Sequence, residues 1–150
     1  MSQENVELVQ RVWELVAEGF DEGNPVNAFD AAFDQGLIAP TATFTPALEV
    51  PGAETYVGRE GFAEFLRAWT ADFVDWKIWP EKIIDAGDDN VVVVTRQSAT
   101  GRGSGATVEL TFASVNTIRD GQIVDRRHYL DADEALDAVG LSDQDAHQMP

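Results

Sequence analysis

The segment GQIVDRRHYLD, residues 121–131, contains the side chains most suited to proton transfer in this sequence. The imidazole of His128 titrates near neutral pH and could accept a proton under cellular conditions. Arg126 lies two positions earlier and could stabilise the negative charge that proton removal creates. A base and a cation at this spacing are suited to abstraction of a proton next to a carbonyl group. We therefore predict His128 and Arg126 as catalytic residues.

Each of these two residues also has a structural explanation. His128 could be a hydrogen-bonded histidine of the core, and Arg126 could be the partner of a carboxylate. The segment is typical of a strand, but each face of that strand mixes apolar and charged groups, so alternation alone does not orient it. The functional interpretation requires both side chains to face a cavity.

The length of the turn before this strand decides which face of the sheet Arg126 and His128 occupy. If RDG, residues 119–121, is a three-residue hairpin loop with a left-handed Gly121, Arg126 and His128 share a face with the apolar side of the preceding strand. A two-residue turn would instead place Ile118 opposite Ile123 and reverse the faces. We predict the three-residue loop, with these pairs: Ile118 with Gln122, Ser114 with Arg126, Phe112 with His128, and Leu110 with Leu130.

The preceding strand supports that choice because one of its faces is the more apolar, and this face is expected to line a cavity. A pocket with apolar walls and a few placed polar groups suits a small hydrophobic molecule. The aromatic residues of the predicted helices fit a hydrophobic core better than a ligand-stacking surface, but at a pocket mouth they could serve as both. The predicted substrate-binding residues are Ser114, Asn116, Phe112, Leu110, Trp13, Trp69 and Phe73.

Three helices are predicted before the main run of strands. The first, at about residues 4–20, has an apolar stripe at three- and four-residue spacing. The second is predicted to be capped by Asn24 and opened by Pro25, with Phe29 and Phe33 on its apolar face. The third, GREGFAEFLRAWTADF, has the most apolar face, which is expected to lie against a sheet.

Strands dominate the rest of the sequence. A first strand, ATFTPAL, precedes the third helix, and four strand segments follow that helix: DWKIWPEKIID, NVVVVTRQSAT, TVELTFASVNTI and QIVDRRHYL. Turn-forming clusters separate them, and Pro80 marks the first of the four as an edge or bulged strand. Helices followed by antiparallel strands predict an α+β fold with the helices on one sheet face. A single domain over residues 1–150 is expected, with an ordered core at about 4–141.

A short C-terminal helix is predicted from a capping signal. Asp131 stands three residues before Glu134, as in a capping box, and an apolar stripe follows before Gly140. The helix is expected to end near Val139, with a frayed tail after it.

The composition excludes several classes of partner and site. The net charge is −17 and the ten basic residues are dispersed, so nucleic acid is not an expected partner. No apolar run approaches the length of a membrane span, and we expect a cytoplasmic protein. Cys is absent and the two histidines are His128 and His147, so no metal site or other cofactor is expected. GRGSG joins two strands and therefore lacks the context of a phosphate-binding loop.

The order of the elements, together with GREGFAEFLRAW, TIRDGQIVDRRHYLD and EALDAVGL, resembles the nuclear transport factor 2-like superfamily, particularly its SnoaL-like branch, over roughly residues 4–141. The resemblance implies a cone-shaped barrel, in which a strongly bent mixed or antiparallel sheet encloses a pocket closed by three helices. It also implies a homodimer through the outer sheet face, where the alternation places Thr111, Ala113, Val115, Arg127 and Tyr129.

The resemblance adds Asp131 as a third predicted catalytic residue, because SnoaL-like cyclases carry a proton-abstracting acid at the end of the final strand. The capping explanation is favoured for the same residue. The Asp positions of ketosteroid isomerase fall at Thr45 or Pro46 and at Ser114, and its Tyr falls at Val12 or Trp13, so that catalytic set is absent. The Arg and Asp pair of limonene epoxide hydrolase is absent too.

Two functions remain open from the sequence. The first is a cofactor-free isomerase or cyclase that abstracts a proton next to a carbonyl in a small hydrophobic substrate. Arg126, Asn116 and Ser114 would then stabilise the enolate. The second is a binding or accessory protein that uses the same pocket without chemistry, or fills it with side chains.

Overall fold

The computed structural model describes residues 2–21, 28–47, 54–71, 73–87 and 89–140. The chain forms four helices and six strands within these ranges: α1 Ser2–Asp21, α2 Asp30–Asp34, β1 Ile38–Thr45, β2 Tyr56–Val57, α3 Gly58–Thr70, β3 Phe73–Gly87, β4 Asn90–Gly101, β5 Thr107–Arg119, β6 Gln122–Tyr129 and α4 Ala132–Ala138. The sequence predicted every helix and all strands except β2. The predicted start of the second helix, at Asn24 and Pro25, and the predicted tail after Gly140 lie outside the described residues.

The six strands form one mixed sheet in the order β2-β1-β6-β5-β4-β3. All neighbours are antiparallel except β1 and β6, which run parallel. The sheet is open, with β2 and β3 as its edges among the described residues, so it is not closed into the expected barrel. Pro80 lies in edge strand β3, next to a register shift, as predicted. The α+β class is confirmed.

Each face of the sheet carries its own hydrophobic cluster. Helices α1 and α3 and the residues before α2 cover the inner face, where Val91 and Val93 of β4 are fully buried. Helix α4 covers part of the outer face, and its Leu136 packs with residues of β4 and β5. Helices on both faces differ from the expected one-sided arrangement, because the short C-terminal helix folds back onto the outer face.

The hairpin between β5 and β6 contradicts the predicted three-residue loop. Arg119 pairs with Gln122 and Ile118 with Ile123, so the turn has two residues. Asp120 and Gly121 have φ angles of 52° and 74°, as a type I′ turn requires at both central positions. The predicted pairing was wrong, because Asp tolerates the left-handed conformation that a two-residue turn needs at its first position.

A β-bulge nevertheless leaves Arg126 and His128 on the inner face. The register shifts between Ile118 and Thr117, where β6 contains an extra residue, Val124. Beyond the bulge, Asn116 pairs with Arg126 and Ser114 with His128. With the two-residue turn and no bulge, Arg126 and His128 would lie on the outer face. The extra residue in β6 returns both side chains to the inner face.

The capping function of Asp131 is confirmed. Its carboxylate accepts a hydrogen bond from the backbone N–H of Glu134 at 2.9 Å, at the start of α4. The carboxylate of Glu134 in turn accepts from the backbone N–H of Leu130 at 3.2 Å. These two bonds satisfy backbone donors at the entry of the helix, which is the role of a capping box.

Candidate functional site

The inner face of the sheet and helix α3 surround a pocket. Its cavity volume is about 40 Å³, and about 470 Å³ of space is empty when the solvent-facing part is included. The described residues that line it are mostly apolar: Phe29, Phe44, Pro46, Ala47, Phe65, Leu66, Trp69, Trp76, Ile78, Gln97, Phe112, Arg126 and His128.

Arg126 is held in this pocket by aromatic rings. Its side chain is buried, and its guanidinium carbon lies 5.1 Å from the ring centre of Trp13, 5.2 Å from that of Phe29 and 5.8 Å from that of Phe44. Cation–π contacts of this kind are worth about 0.5–2 kcal/mol each. Helix α1, the segment before α2 and strand β1 each supply one ring, so three separate parts of the chain position the guanidinium.

The charge of Arg126 has no acidic partner in the described parts of the chain. No carboxylate there forms an ion pair with it, and its Nε is buried without a hydrogen-bond partner. Burial away from water lowers the pKa of Arg126 to about 9, so the guanidinium keeps its charge at neutral pH. Buried charges in proteins are normally paired. The described residues do not supply the structural ion pair that was one explanation of Arg126.

His128 is the neutral polar group beside this cation. Its ring centre lies 4.7 Å from that of Phe44, and its Nδ1 is buried without a partner among the described residues. Loss of hydration and, secondarily, the charge of Arg126 lower the pKa of His128 well below its usual 6.5, while a hydrogen bond with the backbone of Thr45 acts in the opposite direction. The imidazole is therefore neutral at cellular pH.

Gln97, on the inner face of β4, is fixed by two tryptophans. The indole N–H of Trp69 and that of Trp76 both donate to its Oε1, at 3.0 and 2.8 Å. Because indoles can only donate, these contacts establish which end of the side-chain amide is oxygen. The amide NH₂ of Gln97 is then left as a donor group in the pocket wall.

Neither Gln97 nor Trp76 was predicted from the sequence as a site residue. A signal for Gln97 was present, because it continues the inward alternation of Val91, Val93 and Thr95 and is the polar end of that series. The hydrogen bonds of Gln97 with two indoles could not be predicted from the sequence, because they depend on how α3 packs over the sheet.

The structure places four of the predicted site residues in the pocket lining: Arg126, His128, Phe112 and Trp69. The others are not among the lining residues. Asn116 is buried and donates from Nδ2 to the backbone oxygen of Val91 at 3.3 Å and to Ser114 Oγ at 3.1 Å. This pair lies directly across from Arg126 and His128 in the sheet, on the same face. It can support the site without lining it.

Of the remaining predicted residues, Trp13 and Phe73 contact residues that line the pocket, whereas Leu110 and Asp131 do not line it. Trp13 packs against Arg126 from α1, and Phe73 lies 6.2 Å from Trp69, measured between ring centres. Leu110 is half-buried on β5. Asp131 is exposed and caps α4, so its position gives no support to a role as base.

Comparison with known families agrees with this architecture. Residues 13–126 match the model of the SnoaL-like domain. The chain belongs to this family. No match was found among curated proteins.

Solved structures share the SnoaL-like fold of the chain at low sequence identity. An NTF2-like protein of unknown function from Burkholderia pseudomallei K96243 has a TM-score of 0.65 and 18% identity, covering 91% of this chain and 98% of its own. TerC, co-crystallised with polyporic acid, has a TM-score of 0.65 and 20% identity, with coverage of 89% and 98%. A hypothetical protein with a ketosteroid isomerase-like fold from Catenulispora acidiphila DSM 44928, in complex with trimethylamine, has a TM-score of 0.56 and 20% identity. The match covers 83% of this chain and 87% of that protein.

The described residues of the SnoaL-like chain contain no group of three or more His, Cys, Asp or Glu side chains arranged to hold a metal ion. None of the helices among them has the length and apolar character needed to cross a membrane.

Proposed function

We propose that the pocket binds a small, largely apolar carbonyl compound and that the protein acts on it without a cofactor, as an isomerase or cyclase. The observation that carries this proposal is a buried cation without an acidic partner next to a neutral imidazole, inside aromatic walls. A folded chain keeps such an arrangement at a cost in stability, which indicates a use other than folding.

In the proposed reaction, the neutral imidazole of His128 removes a proton from a carbon next to the carbonyl of the substrate. The electron pair of the broken C–H bond moves into the enolate, whose oxygen is stabilised by Arg126. In an isomerisation, the imidazolium returns the proton to a different carbon. In a cyclisation, the enolate carbon forms a bond to a second carbonyl carbon, the electron pair of that C=O π bond moves to its oxygen, and the imidazolium protonates the resulting alkoxide.

The lowered pKa of His128 sets a condition on this reaction. It keeps the imidazole neutral and ready to accept a proton, but it also makes His128 a weak base. Stabilisation of the enolate by Arg126 therefore has to supply much of the driving force. The two residues act as a pair in this proposal, and neither is sufficient alone.

The ligands of two structural neighbours support a small-molecule pocket. One was crystallised with trimethylamine and TerC with polyporic acid. The cavity volume of about 40 Å³ favours a compact ligand, or one that extends through the solvent-facing side. The same small volume also favours the second candidate function, a binding or accessory protein with a largely filled pocket.

Hydrogen–deuterium exchange in D₂O tests the proposed chemistry without knowledge of the full substrate. A panel of small ketones, such as cyclohexenones and acetophenones, is incubated with the protein, and NMR follows loss of protons next to the carbonyl. We expect exchange that His128→Gln and Arg126→Met abolish and that Asp131→Asn retains. Exchange lost in Asp131→Asn and kept in His128→Gln would move the role of base to Asp131. Binding without exchange in the native protein would favour the accessory function.

We further propose a homodimer through the part of the outer sheet face that α4 leaves open. Ala113 and Val115, expected in this interface, are fully buried beneath α4 and are not available to a partner. Trp79 is 39% exposed and aligns across the sheet with Arg96 and Thr111. Light scattering at micromolar concentration tests the dimer, and a monomer would contradict it. A cytoplasmic location stays a prediction, to be tested by cell fractionation.

A further inference from the structure

We propose that the ligand of this pocket carries a carboxylate close to its carbonyl group, so that it is a small keto acid with an apolar body. Gln97 and Arg126 together bind the carboxylate, and the guanidinium, which has several N–H donors, also contacts the neighbouring oxygen that becomes the enolate. The inference rests on the proposed function, which requires a small carbonyl compound but does not specify whether that compound is charged. It assigns Gln97 a role in specificity that the sequence did not indicate.

The buried charge of Arg126 lacks a partner that a carboxylate could supply. The guanidinium is buried against Trp13, Phe29 and Phe44, and no carboxylate in the described parts of the chain pairs with it. A planar carboxylate is the group that a guanidinium binds best, through charge-assisted hydrogen bonds. A ligand carboxylate would supply the partner that the described protein residues do not.

Gln97 presents a hydrogen-bond donor to the pocket. Its Oε1 accepts from Trp69 and Trp76, so the amide presents its NH₂ and not its oxygen as the available group. If Gln97 were free to flip, it could serve a donor or an acceptor equally well. The two indoles remove that freedom, and the pocket wall holds a hydrogen-bond donor in addition to the cation.

The described lining of the pocket contains no acidic side chain. No Asp or Glu is present among the described residues that line the pocket, so a cationic ligand has no partner there and would meet Arg126. The net charge of −17 repels an anion at long range, hence attraction must come from the buried donors at short range. Binding of a carboxylate should therefore not weaken when NaCl rises from about 10 to about 150 mM.

Two matched ligand series on the native protein test the preference for a negative charge. One consists of benzoate, benzamide and benzylammonium, and the other of isobutyrate, isobutyramide and isobutylammonium. Because Trp69 and Trp76 line the pocket, tryptophan fluorescence reports binding, with ligand-observed NMR as a second measurement. We expect each carboxylate to bind roughly 10- to 100-fold more tightly than its amide, the factor for a charge-assisted hydrogen bond, and each ammonium to bind most weakly.

Two substitutions then test the assigned residues. Gln97→Glu keeps an oxygen that accepts from both indoles but replaces the donor NH₂ with a charged oxygen. We expect it to weaken carboxylate binding at least about tenfold while the indole N–H resonances of Trp69 and Trp76 stay in place. Arg126→Met should do the same, and Arg127→Met, which removes an equal charge from the opposite face of β6, should leave carboxylate binding unchanged.

The outcomes separate this inference from the function on which it rests. Amides that bind as tightly as carboxylates, or ammonium ions that bind best, would overturn the anion preference and leave the small-molecule pocket intact. Carboxylate binding that survives both Gln97→Glu and Arg126→Met would overturn the assignment of these residues. If no member of either series binds while ketones of the exchange panel do, the inference is overturned and the proposed function stands; if the ketones do not bind either, both are overturned.

Discussion

Arg126 and Arg127 are neighbours in β6 but lie on opposite faces of the sheet, in different environments. Arg127 is partly exposed on the outer face and forms an ion pair with Asp125 at 3.2 Å. Arg126 is buried on the inner face, in contact with aromatic rings and without an acid in the described parts of the chain. The outer arginine follows the usual rule for a charged side chain, and the inner one departs from it.

The same contrast extends to the two faces as a whole. On the outer face, α4 covers a cluster in which Ala113, Val115 and Leu136 are buried with almost no exposure. On the inner face, apolar packing is interrupted by a pocket whose polar groups include a fixed amide, a neutral imidazole and a cation. We infer that the outer face is built for stability and that the inner face gives up stability for binding. The predictions below test this difference.

The largest effect is expected in the outer cluster. Leu136→Ala removes a side chain that is 2% exposed and leaves a cavity between α4 and the sheet, so the free energy of unfolding should fall by about 2–5 kcal/mol. Leu130→Ala is the control, since Leu130 is 40% exposed and its loss should cost less than about 1 kcal/mol. Urea denaturation measures both. Equal effects would show that α4 is not firmly packed.

On the inner face, the loss of a charged side chain is expected to raise the free energy of unfolding. Arg126→Met replaces a buried unpaired cation with an apolar side chain and should raise the free energy of unfolding by about 1–3 kcal/mol. Arg127→Met should change it by no more than about 1 kcal/mol, because its ion pair is partly exposed. A destabilised Arg126→Met protein would mean that the cation–π contacts outweigh the burial of the charge.

The pH dependence of stability should reveal His128. Its pKa in the folded protein lies below the usual 6.5, so between these two values the unfolded chain binds a proton that the folded protein does not. The free energy of unfolding should therefore fall as the pH decreases below about 6.5, by at most about 1.4 kcal/mol per pH unit from this group. His128→Gln should remove this contribution in denaturation curves at pH 5–7. An unchanged pH profile would contradict the lowered pKa.

The smallest effect is expected at the cap of α4. Asp131→Ala removes the acceptor for the Glu134 N–H and should lower the free energy of unfolding by about 1 kcal/mol. Asp131→Asn, which keeps a side-chain oxygen, should be nearly neutral. Both proteins should bind pocket ligands like the native one. Loss of ligand binding in either variant would link Asp131 to the inner face after all.

Local signals in the sequence predicted most of the fold. The spacing of apolar residues located α1 and α3, Pro80 marked the edge strand, and Asp131 with Glu134 marked the start of α4. These features depend on residues close together in the chain. The parallel pairing of β1 with β6 and the return of α4 onto the outer face depend on residues far apart in the chain. Neither was predicted from the sequence.

The candidate site was less predictable for the same reason. Arg126 and His128 were predicted to face the pocket and do so, but on the basis of a wrong turn, corrected by a bulge that no local pattern indicated. Gln97 is separated by 28 and 21 residues from the tryptophans that fix it. Its role is a property of the packed structure, because the donors come from a helix and from a neighbouring strand.

The bulge at Val124 gives this fold a tolerance for evolutionary change in length. Deletion of this one residue would leave Ile118 opposite Ile123 and Thr117 opposite Asp125, so the ladder would become regular while Arg126 and His128 kept their inward orientation. An insertion between Asp125 and Arg126 that is not taken up by a further bulge would instead exchange the orientations of Arg126 and Arg127, because every later side chain of β6 would move to the other face. A lineage could thus shorten β6 by one codon at the bulge and keep its charged pocket, without any amino-acid substitution in the strand.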